Sequence, residues 1–318
     1  MSKLTLTICS INIEKIMKNR NYGTLSLNSF FADGANFCYT VRDFCSKYSS
    51  SIENLESQEK VFACSKIGPI TETDRYTYYW GIINTGDYGI VSEIVDIHTG
   101  QPVFEKTADN ADMMPFYFMV IVPKDYVDNS GNKIIVQKAL LIIQNNGIYG
   151  IKTVLNRYLC QYISKEYGAK LNILNVTPKV YVDKLLDEGA LEKIRFVINH
   201  PDEDISNSVG FSSLYEERTF IKPIITADLM SKIKLLTRNR NCVINEFEDI
   251  NYDNIKLEIK AGNIVKTLNL NNIDNVNISE SVPDEYKLAD GTIAEDQFLS
   301  YVLQTADLYL NNMSLEIV

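Results

Sequence analysis

The stretch from 138 to 198 constrains the fold more than any other part of the chain, because two helical patterns alternate there with three short apolar runs. The first helical pattern begins at Ile151 and repeats apolar side chains at i, i+3, i+4 and i+7, as a helix with one buried face requires. Gly168 is typical of the position that ends a helix, and Pro178 suits the first turn of a second helix that ends at Gly189. The apolar runs predict strands at 139–143, 171–176 and 191–198. The order strand, helix, strand, helix, strand predicts an α/β unit around which the chain is organised.

The half of the chain before this unit is rich in β-type segments separated by glycine-containing turns. These segments predict strands at 60–66, 77–84, 88–98 and 115–122. Segments 116–122 and 134–143 are expected to pair as a hairpin, and the acidic stretch 105–114 is expected to be a loop. The first half is therefore predicted to be a β-rich N-terminal domain, residues 1–137.

The second predicted domain, residues 138–318, continues beyond the α/β unit. Apolar and charged residues alternate over 255–259, a turn follows, and 264–270 is again β-type, which predicts an antiparallel hairpin with one solvated face. An apolar stripe over 293–309 predicts a closing amphipathic helix. The fold class expected for the whole chain is α+β.

Charge and cysteine usage exclude several classes of protein. The net charge of −10 argues against a protein covered in basic charge for nonspecific nucleic-acid binding, although a local basic face remains open. The six cysteines form no CxxC pair and only two histidines are present, so no zinc site is predicted; buried thiols in a reducing compartment are expected. No metal or cofactor is expected. The N-terminus lacks the apolar block of a signal peptide and no run reaches about 18 apolar residues, which predicts a cytoplasmic protein without membrane insertion.

The glycines at 147 and 150 follow a predicted strand and open a predicted helix, where a phosphate-binding turn would lie. The third glycine of a dinucleotide fingerprint is missing, and Tyr149 would crowd a pyrophosphate. The chain also contains no GxxxxGK[ST], GxSxG or HExxH motif. The turn is therefore predicted to be a scaffold for the helix.

A carboxylate–lysine pattern is the only candidate for catalysis. Restriction-type nucleases hold Mg²⁺ with acidic groups and a lysine two residues after a glutamate on a strand, and Glu258 and Lys260 follow this spacing, with Asp253 shortly before them. Lys256 shares their strand face, which equally fits an ordinary charged surface. A metal-dependent nuclease stays an alternative, and whether the chain is an enzyme stays open.

The most basic window of this acidic chain runs from 218 to 240 and is helix-compatible in its middle. Its cationic residues are candidates for phosphate contact: Arg218, Lys222, Lys232, Lys234, Arg238 and Arg240. Lys152 and Arg157, on the polar side of the helix that begins at Ile151, would extend that surface. The alternative is a solvated face without a ligand.

Three segments, together with the order of elements, carry a resemblance to known proteins: LSLNSFFAD at 25–33, LNILNVTPK at 171–179 and LLDEGALEKIRFVI at 185–198. In these segments the chain resembles bacterial phage-defence proteins, namely the Rex-type exclusion protein A and the B component of Kiwa-type systems. The resemblance implies a cytoplasmic protein that senses or binds DNA during infection and works with a partner. It supplies no catalytic residues.

The leading hypothesis is thus a bacterial anti-phage defence protein that binds nucleic acid or a phage protein, works with a partner protein and forms a homo-oligomer. The alternatives are the metal-dependent nuclease and a structural or assembly protein whose acidic surface meets a basic partner.

Overall fold

The computed structural model describes residues 4–16, 22–29, 34–55, 59–128, 130–147, 149–176, 182–183, 186–187, 189–199, 215–224, 226–238, 254–261, 264–270 and 279–314. The fold is α+β and rich in strands, as predicted. The chain forms two compact units, of which the first combines Met1–Leu174 with Ser279–Val318 and the second is Asn175–Ile278.

The first unit contains most of the strands. They are β1 (Leu4–Ile16), β2 (Tyr22–Thr24), β3 (Glu53–Leu55), β4 (Lys60–Glu72), β5 (Tyr76–Asp87), β6 (Ser92–Val95), β7 (Pro102–Lys106), β8 (Asp112–Pro123), β9 (Tyr126–Val127), β10 (Lys133–Ile134), β11 (Ala139–Asn146), β12 (Tyr149–Gly150), β13 (Lys170–Asn175) and, near the C-terminus, β18 (Ser279–Ser281). Its helices are α1 (Phe37–Lys47), α2 (Lys152–Tyr167) and α4 (Glu295–Ser314), with a short 3-10 helix at Asp284–Tyr286. The second unit contains β14 (Ala190–Asn199), β15 (Tyr215–Ile221), α3 (Ala227–Arg238), β16 (Asn254–Ala261) and β17 (Ile264–Asn269).

The large sheet of the first unit has the strand order β13-β1-β11-β8-β5-β4-β3. Pairing is antiparallel from β1 through β3, because β3, β4, β5, β8 and β11 follow one another as a meander and β1 adds beside β11. The predicted pairing of 116–122 with 134–143 is confirmed where β8 meets β11, with Leu140 opposite Ile121. A short hairpin of β9 and β10 connects these two strands.

Helices cover both faces of this sheet. On one face, α1 and α2 pack against alternate residues of the strands, and Phe44, Phe118 and Leu155 belong to the same buried cluster. On the other face, Phe298 of α4 stacks on Tyr117 of β8 with ring centroids 4.7 Å apart. The central strands are therefore apolar on both sides, which is why β11 appears in the sequence as a continuous apolar run instead of an alternating one.

The predicted helix that begins after Ile151 is confirmed as α2. Leu155, Leu159 and Ile163 are fully buried, as the apolar stripe requires. Gly168 ends the helix in the left-handed conformation, with φ of 59°, and its N–H donates to the Ser164 carbonyl. Glycine suits this position better than other residues because a Cβ atom disfavours positive φ.

The second unit contains a four-stranded antiparallel sheet of order β15-β14-β16-β17. The predicted hairpin of 255–259 with 264–270 is confirmed, with Leu257 opposite Leu268. Ile194, Phe196 and Leu257 are buried on one face of the sheet, which gives this unit its own core. The second predicted helix lies largely outside the described residues, Pro178 included; only 182–183 and 186–187 are described as helical.

The organisation of the two units differs from the predicted division at 137/138. Strand β11 lies between β1 and β8 in the large sheet, so the chain from 139 to 174 belongs with the N-terminal part. The C-terminal segment returns to the same unit, where Glu280 of β18 pairs opposite Leu6 of β1. Strand β14 is confirmed as a strand, but it joins a different sheet from β11 and β13.

One local prediction was right only in part. The stretch 105–114 was expected to be a loop; residues 107–111 do connect two strands, but 105–106 end β7 and 112–114 begin β8. Glu105 and Asp112 misled the prediction because they occupy exposed strand positions, which tolerate charge as well as a loop does. Among the described residues, no helix has the length and apolar character needed to cross a membrane.

The described cysteines have the environment that the sequence predicted. Cys9, Cys38, Cys45 and Cys64 are buried and Cys160 is half-buried, all as free thiols, while Cys242 lies outside the described residues. Burial raises the pKa of the Cys38 thiol far above its ordinary value, and burial also raises the pKa of Cys9 against the opposing effect of Lys152. A neutral thiol is a poor nucleophile, so these groups are structural.

We expect iodoacetamide at pH 8 to alkylate Cys38 and Cys64 of the folded protein at least about a hundred-fold more slowly than in urea, because both thiols are buried and remain protonated. Mass spectrometry of peptides after timed labelling would measure the rates. Rapid labelling of Cys38 in the native protein would contradict its placement between α1 and the sheet, where its Sγ lies 3.5 Å from the Thr77 carbonyl.

Candidate nucleic-acid interface

The polar face of the second sheet holds the densest group of ionic contacts in the second unit's described residues. Side chains alternate between the two faces of a strand, so Ile194 and Leu257 point into the core while their neighbours point the other way. On that polar face, Lys193 lies opposite Glu258, and Arg195 lies opposite Lys256. We call this surface the cationic sheet face and define it by Lys193, Arg195, Lys256 and Lys260 with the carboxylates Glu217 and Glu258.

Glu258 is the centre of this face. It is only 8% exposed, Lys193 Nζ lies 2.9 Å from its Oε2, and Arg195 Nη2 contacts its Oε1. A buried carboxylate is stable when cations and hydrogen bonds replace the water that it has lost. Glu258 on β16 therefore holds Lys193 and Arg195 in fixed positions on the neighbouring strand β14.

The remaining charges leave the face with a cationic excess. Lys256 Nζ lies 3.6 Å from Glu217 Oε1, and each of these two side chains is about one third exposed. Lys260 is exposed and, by strand alternation, on the same side as Glu258. The defining set thus has four cationic side chains against two carboxylates, in a chain whose overall net charge is −10.

The cationic residues of the predicted basic window, 218–240, do not all lie on one face of the second unit. Arg218 lies on β15 directly opposite Phe196, and so on the apolar side of the sheet instead of the cationic sheet face. Lys222 follows β15, is exposed, and donates its backbone N–H to the Glu192 carbonyl. Arg218 therefore does not belong to the cationic sheet face.

The cations on α3 have acidic partners. Lys232 Nζ lies 2.8 Å from an Asp228 carboxylate oxygen one turn earlier, and Lys234 pairs with Asp187. Arg238 is the last residue of α3, but its side chain lies outside the described residues, and Arg240 lies wholly outside them. The charge available for phosphate contact on this helix is thus smaller than the sequence indicates.

Lys152 and Arg157 both lie on α2 and belong to the first unit. Arg157 is exposed, whereas Lys152 is half-buried beside Cys9. The sequence window and this helix belong to different compact units, and that the helix extends the surface of the window stays a prediction.

The residues proposed for a nuclease site agree with the structure only in their position on one strand face. Glu258 and Lys260 share a strand face, as predicted, and Asp253 lies outside the described residues. Both carboxylate oxygens of Glu258 already contact cations, and the described residues contain no cluster of histidine, cysteine or acidic side chains able to hold a metal ion. This environment is typical of an ion-paired structural carboxylate and gives the nuclease hypothesis no support.

Sequence reasoning missed Lys193 and Arg195. Both lie within 191–198, which was assigned as an apolar strand from its isoleucine, phenylalanine and valine content. The available signal was the alternation of Lys193 and Arg195 with Ile194 and Phe196, the same one-sided pattern recognised in 255–259.

An open cleft of about 470 Å³ lies in the first unit at the start of α1. Three of its polar side chains hydrogen-bond to one another. The Asn28 amide donates to Asp125 at 2.9 Å, and the Asn36 amide donates to Asn28 at 3.1 Å. Asn36 also caps α1 by accepting from the Cys38 N–H. We assign this network to joining the 24–29 segment to the end of β8.

Comparison with known proteins adds no family assignment: no family model matches the chain, and no curated protein matches it. The case for function therefore rests on the cationic sheet face.

Proposed function

We propose that the chain binds nucleic acid through the cationic sheet face of its second unit, and that it acts by binding instead of by hydrolysis. The observation that carries the proposal is the excess of cationic side chains around Glu258 on strands β14 and β16. A local cationic surface attracts a polyanion even when the whole protein is acidic, because the field near the surface depends on the nearest charges.

The dimensions of the face suit a phosphate backbone. Lys256 and Lys260 are four residues apart on β16, which places them about 13 Å apart along the strand. One strand of B-DNA advances about 3.4 Å per phosphate, so this span covers several phosphates. Arg195 keeps further N–H donors beyond those that meet Glu258, since a guanidinium has five.

Recognition by this face is expected to be largely independent of sequence. Among the described residues of the sheet, the phenylalanines Phe196 and Phe220 lie on the opposite, apolar side, so they do not supply a stacking platform beside the lysines. Contacts from lysine and arginine to phosphates position a nucleic acid without reading its bases. The salt concentration should therefore control the affinity strongly.

We expect the double variant Lys256→Glu/Lys260→Glu to bind a fluorescein-labelled 20-base-pair duplex at least about ten-fold more weakly than the native chain at low salt, because two phosphate contacts become repulsive. The slope of log affinity against log salt should fall by about 2. Fluorescence anisotropy titrations at several salt concentrations would measure both quantities.

A matched control is Arg42→Glu/Lys133→Glu, which changes the net charge equally at a half-buried and an exposed position of the first unit. It should leave the salt slope unchanged. Native protein without affinity for the duplex at low salt would overturn the proposal. A loss of affinity in Lys152→Glu/Arg157→Glu, with none in Lys256→Glu/Lys260→Glu, would move the interface to α2.

The anti-phage role is a separate part of the proposal and is supported by the resemblance of 25–33, 171–179 and 185–198 to phage-exclusion proteins. We expect a bacterial host that expresses the chain with its neighbouring genes to lower the plating efficiency of at least some phages. If the defence role depends on nucleic acid, Lys256→Glu/Lys260→Glu should remove the protection while Arg42→Glu/Lys133→Glu retains it. Full protection by Lys256→Glu/Lys260→Glu would show that defence does not depend on nucleic-acid binding by this face.

A further inference from the structure

Two exposed apolar side chains lie at the end of β15, beside the cationic sheet face. Ile221, the last residue of β15, lies directly opposite Lys193 of β14, so the two side chains share one side of the sheet. Ile221 is 68% exposed, and Ile224, further along the chain, is fully exposed. We call residues 221–224 the isoleucine tip. A single exposed isoleucine is ordinary, but this tip borders the surface that is proposed to hold a nucleic acid.

The isoleucine tip has a defined backbone conformation. Lys222 has a φ of 48°, in the left-handed region that residues with a Cβ atom rarely adopt. Its N–H donates to the Glu192 carbonyl at 2.7 Å, at the point where a bulge shifts the register of β14. The next residue is Pro223, whose ring fixes its own φ. The turn therefore presents Ile224 to solvent from a backbone with little torsional freedom.

The isoleucine tip lies to one side of the lysines that are proposed to hold phosphates. Ile221, Lys193 and Glu258 form one row across β15, β14 and β16. On β16, Lys256 and Lys260 lie on either side of Glu258 along the strand. Neighbouring strands are about 4.8 Å apart, so Ile221 lies about 10 Å to the side of the line that joins the two lysines. The minor and major grooves of B-DNA are about 6 and 12 Å wide, so a side chain at that distance from a bound phosphate backbone meets a groove.

We propose that the isoleucine tip inserts into the minor groove of a duplex held by the cationic sheet face and partly unstacks one base step there. A duplex that contacted only the lysines would leave Ile221 and Ile224 in water, whereas insertion buries them. Apolar wedges of this kind, isoleucine among them, kink DNA in many proteins that bind the minor groove. Because the face must first hold the duplex, the proposal rests on the proposed function and narrows the ligand to duplex DNA that bends easily.

The stiffness of DNA decides which duplexes suit such a contact. Unstacking costs least at flexible pyrimidine–purine steps and at mismatched pairs, whereas A-tracts are stiff. The chain should therefore prefer a duplex with a mismatched pair at its centre over a duplex with an A-tract there, even though no side chain reads the bases.

Fluorescence measurements on these two duplexes, made to equal length, test the proposal. The native chain should bind the mismatched duplex at least about five-fold more tightly than the A-tract duplex. Energy transfer between dyes at the two ends of the mismatched duplex should rise on binding, because the kink brings the ends closer. In Ile221→Ser/Ile224→Ser both the preference and the rise should disappear. The slope of log affinity against log salt should stay as in the native chain, since the lysines are unchanged.

The matched control is Ile90→Ser/Ile97→Ser, which also removes two exposed isoleucines but from the first unit, where Ile90 is 62% and Ile97 is 87% exposed. This variant should keep both the preference and the rise in energy transfer. All four isoleucines are exposed, so neither variant should change the free energy of unfolding by much.

A native chain that binds both duplexes equally tightly, or binds without a rise in energy transfer, overturns the insertion and leaves the proposed function standing. A preference that survives in Ile221→Ser/Ile224→Ser also overturns it, since another group would then open the base step. A native dimer that becomes monomeric in that variant, with the preference retained, would instead place the isoleucine tip at a contact between two copies. Absence of binding to either duplex overturns the proposed function together with the insertion.

Discussion

Glu258→Gln is expected to lower the free energy of unfolding of the second unit by about 1–3 kcal/mol and, at the same time, to strengthen binding to a duplex. Breaking a buried ion pair costs about 3–5 kcal/mol, and the lower range applies here because the partner side chains Lys193 and Arg195 are 37% and 28% exposed. Binding should strengthen because the defining set of the cationic sheet face loses one of its two carboxylates.

Urea unfolding and anisotropy titration would measure these two opposite effects in one variant. Glu217→Gln is the control, since the ion pair of Glu217 with Lys256 is longer and more exposed, and its loss should cost less than about 1 kcal/mol. The nuclease hypothesis predicts instead that the native chain cleaves DNA in the presence of Mg²⁺ and that Glu258→Gln abolishes the cleavage. That result, without tighter binding by Glu258→Gln, would contradict the binding proposal.

Phe44→Ala is expected to lower the stability of the first unit by about 3–5 kcal/mol, the usual cost of removing a large buried aromatic side chain. Phe44 is fully buried on α1, and its ring centroid lies 4.9 Å from that of Tyr48 and 5.6 Å from that of Tyr162 on α2. The substitution therefore leaves a cavity at the contact of both helices with the sheet.

Chemical denaturation followed by circular dichroism would test this expectation, with Ile52→Ala as control. Ile52 is 66% exposed, so its truncation should change stability by less than about 0.5 kcal/mol. Equal effects of the two substitutions would contradict the assignment of Phe44 to the core.

The elements that sequence predicted well are those whose signals are local. The extent of α2 follows from its 3.6-residue apolar period and from Gly168, and both lie within the helix or at its end. The β16–β17 hairpin follows from alternation on both sides of a short turn. In such elements the residues that decide the structure are neighbours in the chain.

Strand partners were not predictable in the same way. The apolar runs of β11 and β14 look alike, yet β11 pairs with β1 from the other end of the unit, and β14 joins a separate sheet. Pairing depends on packing between distant segments, which an apolar run does not specify. The return of β18 to β1 is of the same kind.

The candidate site was predictable only in part, for a related reason. The window 218–240 is basic along the sequence, but strand and helix geometry turn Arg218 toward the apolar side and place Lys232 and Lys234 beside carboxylates. The cationic sheet face instead combines β14 with β16, whose residues are about 60 positions apart. A surface formed by two distant strands becomes visible only once their register is known.

Lysine footprinting tests the central claim most directly. The native chain would be acetylated briefly at low salt with and without a saturating 20-base-pair duplex, and the modified lysines would be quantified by mass spectrometry. We predict that the duplex slows acetylation of Lys256 and Lys260 several-fold or more and leaves Lys47 and Lys133 of the first unit unchanged. Equal rates at Lys256 and Lys260 with and without bound duplex would contradict the assignment of nucleic-acid binding to the cationic sheet face.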